Sequence, residues 1–350
     1  MAFAFISTGG ASATFECQLD GASFAPCWSP ESFSGLTDGA HTFAVRSRVP
    51  GSAWDPTPAM YGWFVDATPP TFTVVSATPD PAGVGSVTLV VRAFDASTGI
   101  GTAPTVDVTQ SGGTPVAATL IGCSPALPQT GVSTDCTYSY TVVAGQDGPA
   151  AVAVSGADLA GNSATASHSF IVDTLPATIS GAAAPPPNAN GWNNTAVTVT
   201  FSCADAGVGI KSSPNGCRAS AASGSGVDGS TTATWTLSAE TPLAGISVVG
   251  TAEDNAGNTA TATVGPIRID LTPPTISASV APAAPDGANG WYVSDVTATF
   301  DCADALSDMA PGGCASTGGT TDTGGTTSAE HGDRRGRQYR LRIRRTLQAG

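Results

Sequence analysis

Along most of the chain apolar residues alternate with small polar ones in short runs, and a period of two is the signature of half-buried β-strands. Between Pro70 and Val172 seven such runs fall at 71–77, 87–94, 103–109, 116–121, 137–143, 151–157 and 163–172, separated by Gly, Pro, Asn and Asp. No window sustains apolar residues at i, i+3, i+4 and i+7 without Gly, Pro or a run of Thr and Val, so helices are not predicted. Seven short strands in about a hundred residues are the pattern of a two-sheet sandwich. The class read from this pattern is all-β.

The pattern repeats. Val87-Thr-Leu-Val-Val-Arg-Ala-Phe-Asp95, Val197-Thr-Val-Thr-Phe-Ser-Cys-Ala-Asp205 and Val296-Thr-Ala-Thr-Phe-Asp-Cys-Ala-Asp304 align as one strand that ends in an acid. Asp158-Leu-Ala-Gly-Asn162 and Asp254-Asn-Ala-Gly-Asn258 each precede another alternating run, which is hairpin chemistry. Val65-Asp-Ala-Thr-Pro-Pro70, Val172-Asp-Thr-Leu-Pro176 and Ile269-Asp-Leu-Thr-Pro-Pro274 mark the joints, because proline cannot donate to a sheet ladder. The predicted domains are 1–68, 69–175, 176–273, an incomplete one at 274–330, and a basic tail at 331–350.

Residues 177–274, with Asn188-Ala-Asn-Gly-Trp192, the strand ending at Asp205, the turn ending at Asn258 and the Pro-Pro joint, resemble the bacterial immunoglobulin-like repeats found in strings on large secreted and surface proteins. Residues 14–70 resemble another member of that group through Phe15, Cys17, Leu19, Asp20, Gly21, Cys27, Asp38, Gly39, His41, Phe43, Trp63 and Asp66. The resemblance implies tandem immunoglobulin-like β-sandwich repeats used as a stalk or adhesin shaft, a monomeric string with small interfaces. It departs from the pattern at Arg46-Ser-Arg-Val-Pro-Gly51, where the Ala-Gly-Asn turn is expected, and in the last repeat, which has no closing strands. Met1-Ala-Phe-Ala-Phe-Ile6 has neither the basic nor the long apolar region of a secretion signal and reads as the inside of a strand, so the first domain is expected to lack its opening strand.

Charge narrows the partners. The formal net charge is −14, but seven of the 13 basic residues and one of the 27 acids lie in the last twenty positions. The body is thus far more acidic than the total, which disfavours nucleic acid and anionic membranes and suits divalent cations. No apolar stretch is long enough to span a bilayer. Eight cysteines fall in four close pairs, Cys17 with Cys27, Cys123 with Cys136, Cys203 with Cys217 and Cys302 with Cys314. Even number, one pair per repeat and no zinc-ligand spacing favour disulfides over a metal, with reduced structural thiols as the alternative. Disulfides place the chain in an oxidising compartment, extracellular or at a cell surface.

In a sandwich of this kind the loops after the second and sixth strands share one end, where the preceding linker also enters. Asp66 should therefore approach Asp95 and Asp158, and Asp173 should approach Asp205 and Asp254. Two readings stand: three converging carboxylates form an oxygen-rich calcium site, or each Asp only caps its own turn through an Asx bond. Trp192 and Trp291 follow Asn-Gly and are candidates to stack on a sugar or to pack over an open edge; Trp235, alternating with Leu237, is read as core, and His41 as structural. No nucleophile elbow or catalytic carboxylate pair is present, so the chain is read as non-enzymatic. The function read from these features is a spacer that projects other domains. The alternative is an adhesin that grips a host protein or glycan, for which the long insertion Ile121–Cys136 is the distinguishing feature.

The tail His331-Gly-Asp-Arg-Arg-Gly-Arg337 begins where the fourth repeat should enter its hairpin turn. One choice of codons, read one nucleotide downstream, gives Ala-Thr-Asp-Ala-Gly, one further residue, then Asn-Thr-Ala-Ser, a near variant of the missing turn. The expectation is a shifted reading frame and a disordered tail; the rival is a polybasic arm for phosphates.

Overall fold

Alternation becomes strands throughout. The computed structural model describes residues 1–8, 12–212, 215–288, 294, 296–317, 329–334 and 337–342. It is all-β, with no α-helix among the described residues and no helix among them long and apolar enough to cross a membrane. The chain divides into two units, Met1–Thr174 and Leu175–Gly350, each holding two domains.

The second domain, in the first unit, shows the plan in full. Its strands are, after six in the first domain, β7 (Thr71–Thr78), β8 (Ser86–Phe94), β9 (Thr105–Thr109), β10 (Val116–Ala117), β11 (Thr119–Ser124), β12 (Thr134–Thr141), β13 (Gly148–Ala157) and β14 (Ser163–Val172). They form two four-stranded antiparallel sheets in the orders β11-β12-β8-β7 and β10-β9-β13-β14. In immunoglobulin terms these are strands D-E-B-A facing C′-C-F-G, the arrangement that defines the fold. Period two explains the core: Val87, Leu89, Val91 and Ala93 point inward from β8 and meet Val106, Val108, Val152, Val154 and Phe170 of the facing sheet. The run 116–121 is split into β10 and β11 because the chain changes sheets there, and the strand expected at 137–143 starts earlier, at Thr134.

The first domain consists of β1 (Ala2–Phe3), β2 (Thr14–Leu19), β3 (Ala25–Cys27), β4 (Glu31–Ser32), β5 (Gly39–Arg48) and β6 (Ala59–Val65). Its one full sheet has the order β3-β2-β5-β6, which corresponds to C′-C-F-G; the facing sheet is reduced to the two-residue ribbon β1-β4. Aromatic rings replace the missing sheet. Phe3 stacks on Phe43 with centroids 4.5 Å apart and touches Trp63 at 5.0 Å, while Phe5 meets Phe15 at 5.0 Å.

The third domain, in the second unit, repeats the plan with β15 (Thr178–Ala184), β16 (Val197–Ala204), β17 (Cys217–Ser220), β18 (Ser225–Val227), β19 (Thr232–Leu237), β20 (Ile246–Glu253) and β21 (Thr259–Ile267). The sheets are β15-β16-β19-β18 and β17-β20-β21. Phe201 fills the space between them because glycine faces it on both sides: a Cβ at Gly250 would lie 2.4 Å from its ring and one at Gly181 2.5 Å. Trp235, expected in the core, lies only partly buried against it and donates its indole N–H to Ser223 O at 2.9 Å.

The fourth domain has β22 (Thr275–Ala281), β23 (Thr297–Ala303), β24 (Met309–Thr317), β25 (Ala329–Arg334) and β26 (Arg337–Arg342). Its sheets are β22-β23 and β24-β25-β26, and among the described residues no strand stands where β19 stands in the third domain. The tail departs from the disordered segment expected: its described residues pair as a hairpin, Ala329 opposite Arg342 through Arg334 opposite Arg337. Gln338-Tyr-Arg-Leu-Arg342 alternates polar and apolar residues, so period two offers a strand whatever its charge.

All eight cysteines pair with their sequence neighbours. The bonds differ in what they join. Cys123–Cys136 links directly opposed residues of β11 and β12, and Cys17–Cys27 links β2 to β3 within one sheet, whereas Cys203–Cys217 and Cys302–Cys314 each cross from one sheet to the other.

Candidate functional site

Three short segments build the site at the entry end of the second domain. Asp66 comes from the linker after β6, Asp95 from the loop after β8, and Asp158 from the turn after β13. One carboxylate oxygen of each lies within 4.8 Å of the others. Asp95 and Asp158 are 3% and 7% exposed. This convergence is the one read from the order of strands.

Each loop is held in place by its own acid. Asp95 Oδ1 accepts N–H bonds from Ser97 at 3.0 Å and Gly99 at 2.7 Å. Gly99 has φ +91°, and a Cβ there would fall 2.2 Å from Gln129 O, so the position takes only glycine. Asp158 accepts Asn162 N at 2.9 Å on Oδ1 and Asn162 Nδ2 at 2.8 Å on Oδ2. Asn162 Nδ2 also donates to Asp66 O at 3.1 Å, which ties the turn to the linker. Asp66 Oδ1 accepts Thr68 N at 3.2 Å in its own turn, and its Oδ2 accepts from Thr98 N at 3.0 Å and from the Thr98 hydroxyl in the neighbouring loop. The turn-capping reading is therefore present in full.

It does not use up the oxygens. A carboxylate offers about four lone-pair sites, and among the described residues the hydrogen bonds to Asp95 all go to Oδ1. The ion pairs of the described residues, Arg46–Glu16, Arg92–Asp135, Lys211–Glu253, Arg218–Glu253 and His41–Asp20, involve none of the three. Three converging carboxylates with no basic partner among the described residues repel one another, the more so where burial keeps water out. A divalent cation on their free oxygens would offset that cost, and hard oxygen donors are what Ca²⁺ takes.

The third domain repeats the local geometry. Asp205 accepts Gly207 N at 2.9 Å and Gly209 N at 2.7 Å, and Asp254 accepts Asn258 N and Nδ2, both at 2.9 Å. Asp173 is buried at the end of β14. Lys211, the only lysine, pairs with Glu253 at 2.6 Å.

Three further acids, to which the sequence assigned no site, clamp the joints. Asp38 accepts Ala67 N at 2.7 Å and the Thr68 hydroxyl; Asp147 accepts Thr174 N at 2.6 Å and its hydroxyl at 2.8 Å; Glu240 accepts Leu271 N at 3.2 Å and the Thr272 hydroxyl. These bonds hold the Asp38 carboxyl below its ordinary value of 3.8. The signal legible in the sequence is Asp-Gly before a strand, at Asp38-Gly39 and Asp147-Gly148.

The sugar-stacking reading fails for Trp192, which is 2% exposed. Asn188 pins its backbone, accepting Trp192 N on Oδ1 at 3.1 Å and donating to Trp192 O at 2.9 Å, so the ring turns inward. Trp291 lies outside the described residues. His41 is structural: it is 7% exposed, with Nδ1 2.7 Å from Asp20 Oδ2 and Nε2 2.7 Å from Thr37 O.

No protein-family model matches the chain, and no curated protein matches it. Among solved structures it is similar to an E-to-A variant of titin domains I67–I69, at TM-score 0.40 and 12% identity over 81% of this chain and all of that one. The I-band fragment I67–I69 from titin gives TM-score 0.40 and 11% identity over the same shares. A complex of Dpr2 Ig1–Ig2 with DIP-Theta Ig1–Ig3 gives TM-score 0.20 and 10% identity, over 59% of this chain and all of that one.

Proposed function

We propose that the chain is a structural spacer in a secreted or cell-surface protein, carrying other domains on a row of sandwiches, and that calcium held by Asp66, Asp95 and Asp158 stiffens the joint between the first two. The observation that carries the reading is the convergence of a linker carboxylate with two from the next domain. A cation shared by the three would fix the linker to the sandwich it enters. Extracellular modules bind calcium at about 10⁻⁴ to 10⁻³ M, which suits an oxidising, calcium-rich compartment and the four disulfides. By sequence the same reading extends to Asp173, Asp205 and Asp254. The role needs no chemistry of its own and is non-catalytic.

The test is thermal melting of the full chain with and without millimolar calcium. Binding to the folded state alone adds about 2.7 kcal/mol at a hundredfold excess over Kd. The expected result is a raised melting temperature for wild type and none of that rise at the first joint for Asp95→Asn. Unchanged melting would leave the three acids as turn caps only.

One observation favours adhesion as a second reading. Val116 on β10 and Leu120 and Ile121 on β11 are exposed apolar residues on edge strands, and Val132 in the loop after β11 is exposed as well. Such residues fit a protein partner more than a glycan. Leu120→Ser with Ile121→Ser would then abolish attachment of the full chain to immobilised host matrix protein; the spacer reading expects no attachment to lose.

A further inference from the structure

The outer face of the sheet β3-β2-β5-β6 carries a chemistry that the spacer reading does not use. Period two puts Glu16 and Arg46 on that face, and Arg46 donates from Nε and Nη2 to Glu16 Oε2 at 3.1 and 2.7 Å. Its guanidinium lies over the Phe24 ring at 4.1 Å and the Trp54 ring at 5.3 Å, and that of Arg48 lies over Trp54 at 4.3 Å. Arg46 has its carboxylate, whereas Arg48 is exposed and enters none of the ion pairs of the described residues. Stacking on the indole holds the planar fork of Arg48 in place while its N–H groups stay free, the arrangement that takes a carboxylate through two parallel bonds.

Register supplies a second wall. Thr14 stands opposite Arg48, and Phe15 stands opposite Ser47 on one side and Cys27 on the other. Trp28, next after Cys27, therefore falls on the row of Thr14 and Arg48. It is 78% exposed, although tryptophan is on average a highly buried residue. Trp28 and Arg48 are two strand spacings apart, about 10 Å, and the short, exposed Thr14 between them leaves a trough with room for one pyranose ring. The opening follows from the plan of the sheet. In the second domain, which has both its entry joint and its facing sheet, the same face is exposed at the same end, at Thr105, Ser155 and Thr165. Ser155 follows Gly148, the partner of Val172, at the same distance as Arg46 follows Gly39, the partner of Val65.

We propose that this trough binds a uronic-acid residue of a polysaccharide. The sugar ring lays its slightly positive C–H bonds on the negative face of Trp28, its carboxylate meets Arg48, and Thr14 offers a hydroxyl to the ring hydroxyls. A uronate spaced among neutral sugars is the fitting form, because the chain is acidic, with 27 acids against 13 basic residues, and would repel a polyanion. The inference is independent of the spacer and calcium readings.

The full chain, with a chelator present so that no calcium bridges protein and sugar, is titrated calorimetrically with a xylo-oligosaccharide bearing one glucuronate and with the same oligosaccharide lacking it. The expected result is binding of the first about tenfold or more tighter than the second, and a loss of about tenfold or more for Trp28→Ala and for Arg48→Gln. Both side chains are exposed, so both variants should keep the wild-type melting temperature. Arg48→Lys, which keeps the charge without the fork, should bind between wild type and Arg48→Gln. No binding at millimolar sugar, equal binding of the two oligosaccharides, or undiminished binding by Trp28→Ala or Arg48→Gln overturns the proposal. Equal binding of a glutamate-rich peptide overturns it too, since the face would then recognise the carboxylates of a protein.

Discussion

His41 shows how far a single side chain is fixed by its neighbours. Both ring nitrogens face oxygen acceptors, Asp20 Oδ2 and Thr37 O, so only the imidazolium satisfies both, and the neutral ring must set a lone pair against one oxygen. The Thr37 carbonyl and the Asp20 carboxylate accordingly raise His41 above its ordinary 6.5, and His41 with the Thr42 amide lowers Asp20 below 3.8. The two signs differ in consequence. The raised His41 stabilises the first domain fully below pH 6.5, and that contribution fades as pH climbs through its folded value; the lowered Asp20 contributes above pH 3.8 and fades as pH falls through its folded value. Melting of the first domain should therefore be highest between these limits and decline toward alkaline pH, with His41→Gln removing the alkaline decline. NMR titration should place His41 above the ordinary 6.5.

Strands and staples obey the same plan with different local solutions. Cys203–Cys217 crosses between sheets and closes a loop whose ends are 14 residues apart, while Cys123–Cys136 joins two strands already laddered over Thr119 to Ser124. Cys203→Ser with Cys217→Ser should cost about 3 kcal/mol on the loop-entropy model. The pair Cys123→Ser with Cys136→Ser should cost less, because the ladder holds that register without the bond, and denaturant melts of the two variants compare them directly. Packing gives a second test. Phe201 is 0% exposed and lies against Gly250, so Gly250→Ala should destabilise the third domain by about 1 to 3 kcal/mol through overpacking. Equal melting of Gly250→Ala and wild type would show that the ring can move aside. Strand existence was legible from period two, whereas strand ends such as Thr134 were not, because a ladder extends wherever its partner strand continues.

At the scale of the molecule the domains differ in completeness, and stability should follow. The second has two four-stranded sheets and a continuous core; the first has one sheet covered by aromatic rings from a two-residue ribbon. Less apolar area is buried where one sheet is missing, so calorimetry of the full chain should resolve more than one transition, the first domain melting earliest. A single cooperative transition would contradict this. Sequence by itself determined the class, the cysteine partners and the meeting of Asp66, Asp95 and Asp158, because alternation, close cysteine spacing and a fixed strand order are local signals that one topology turns into positions in space. Only the tertiary structure decided which way a ring faces. Trp192 turns inward because Asn188 and the bridge of Asn193 to Ile269 fix the backbone on either side of it. The clamps at Asp38, Asp147 and Glu240 belong to the same kind, since each joins residues about thirty positions apart, and a contact at that distance leaves no periodic trace in the chain.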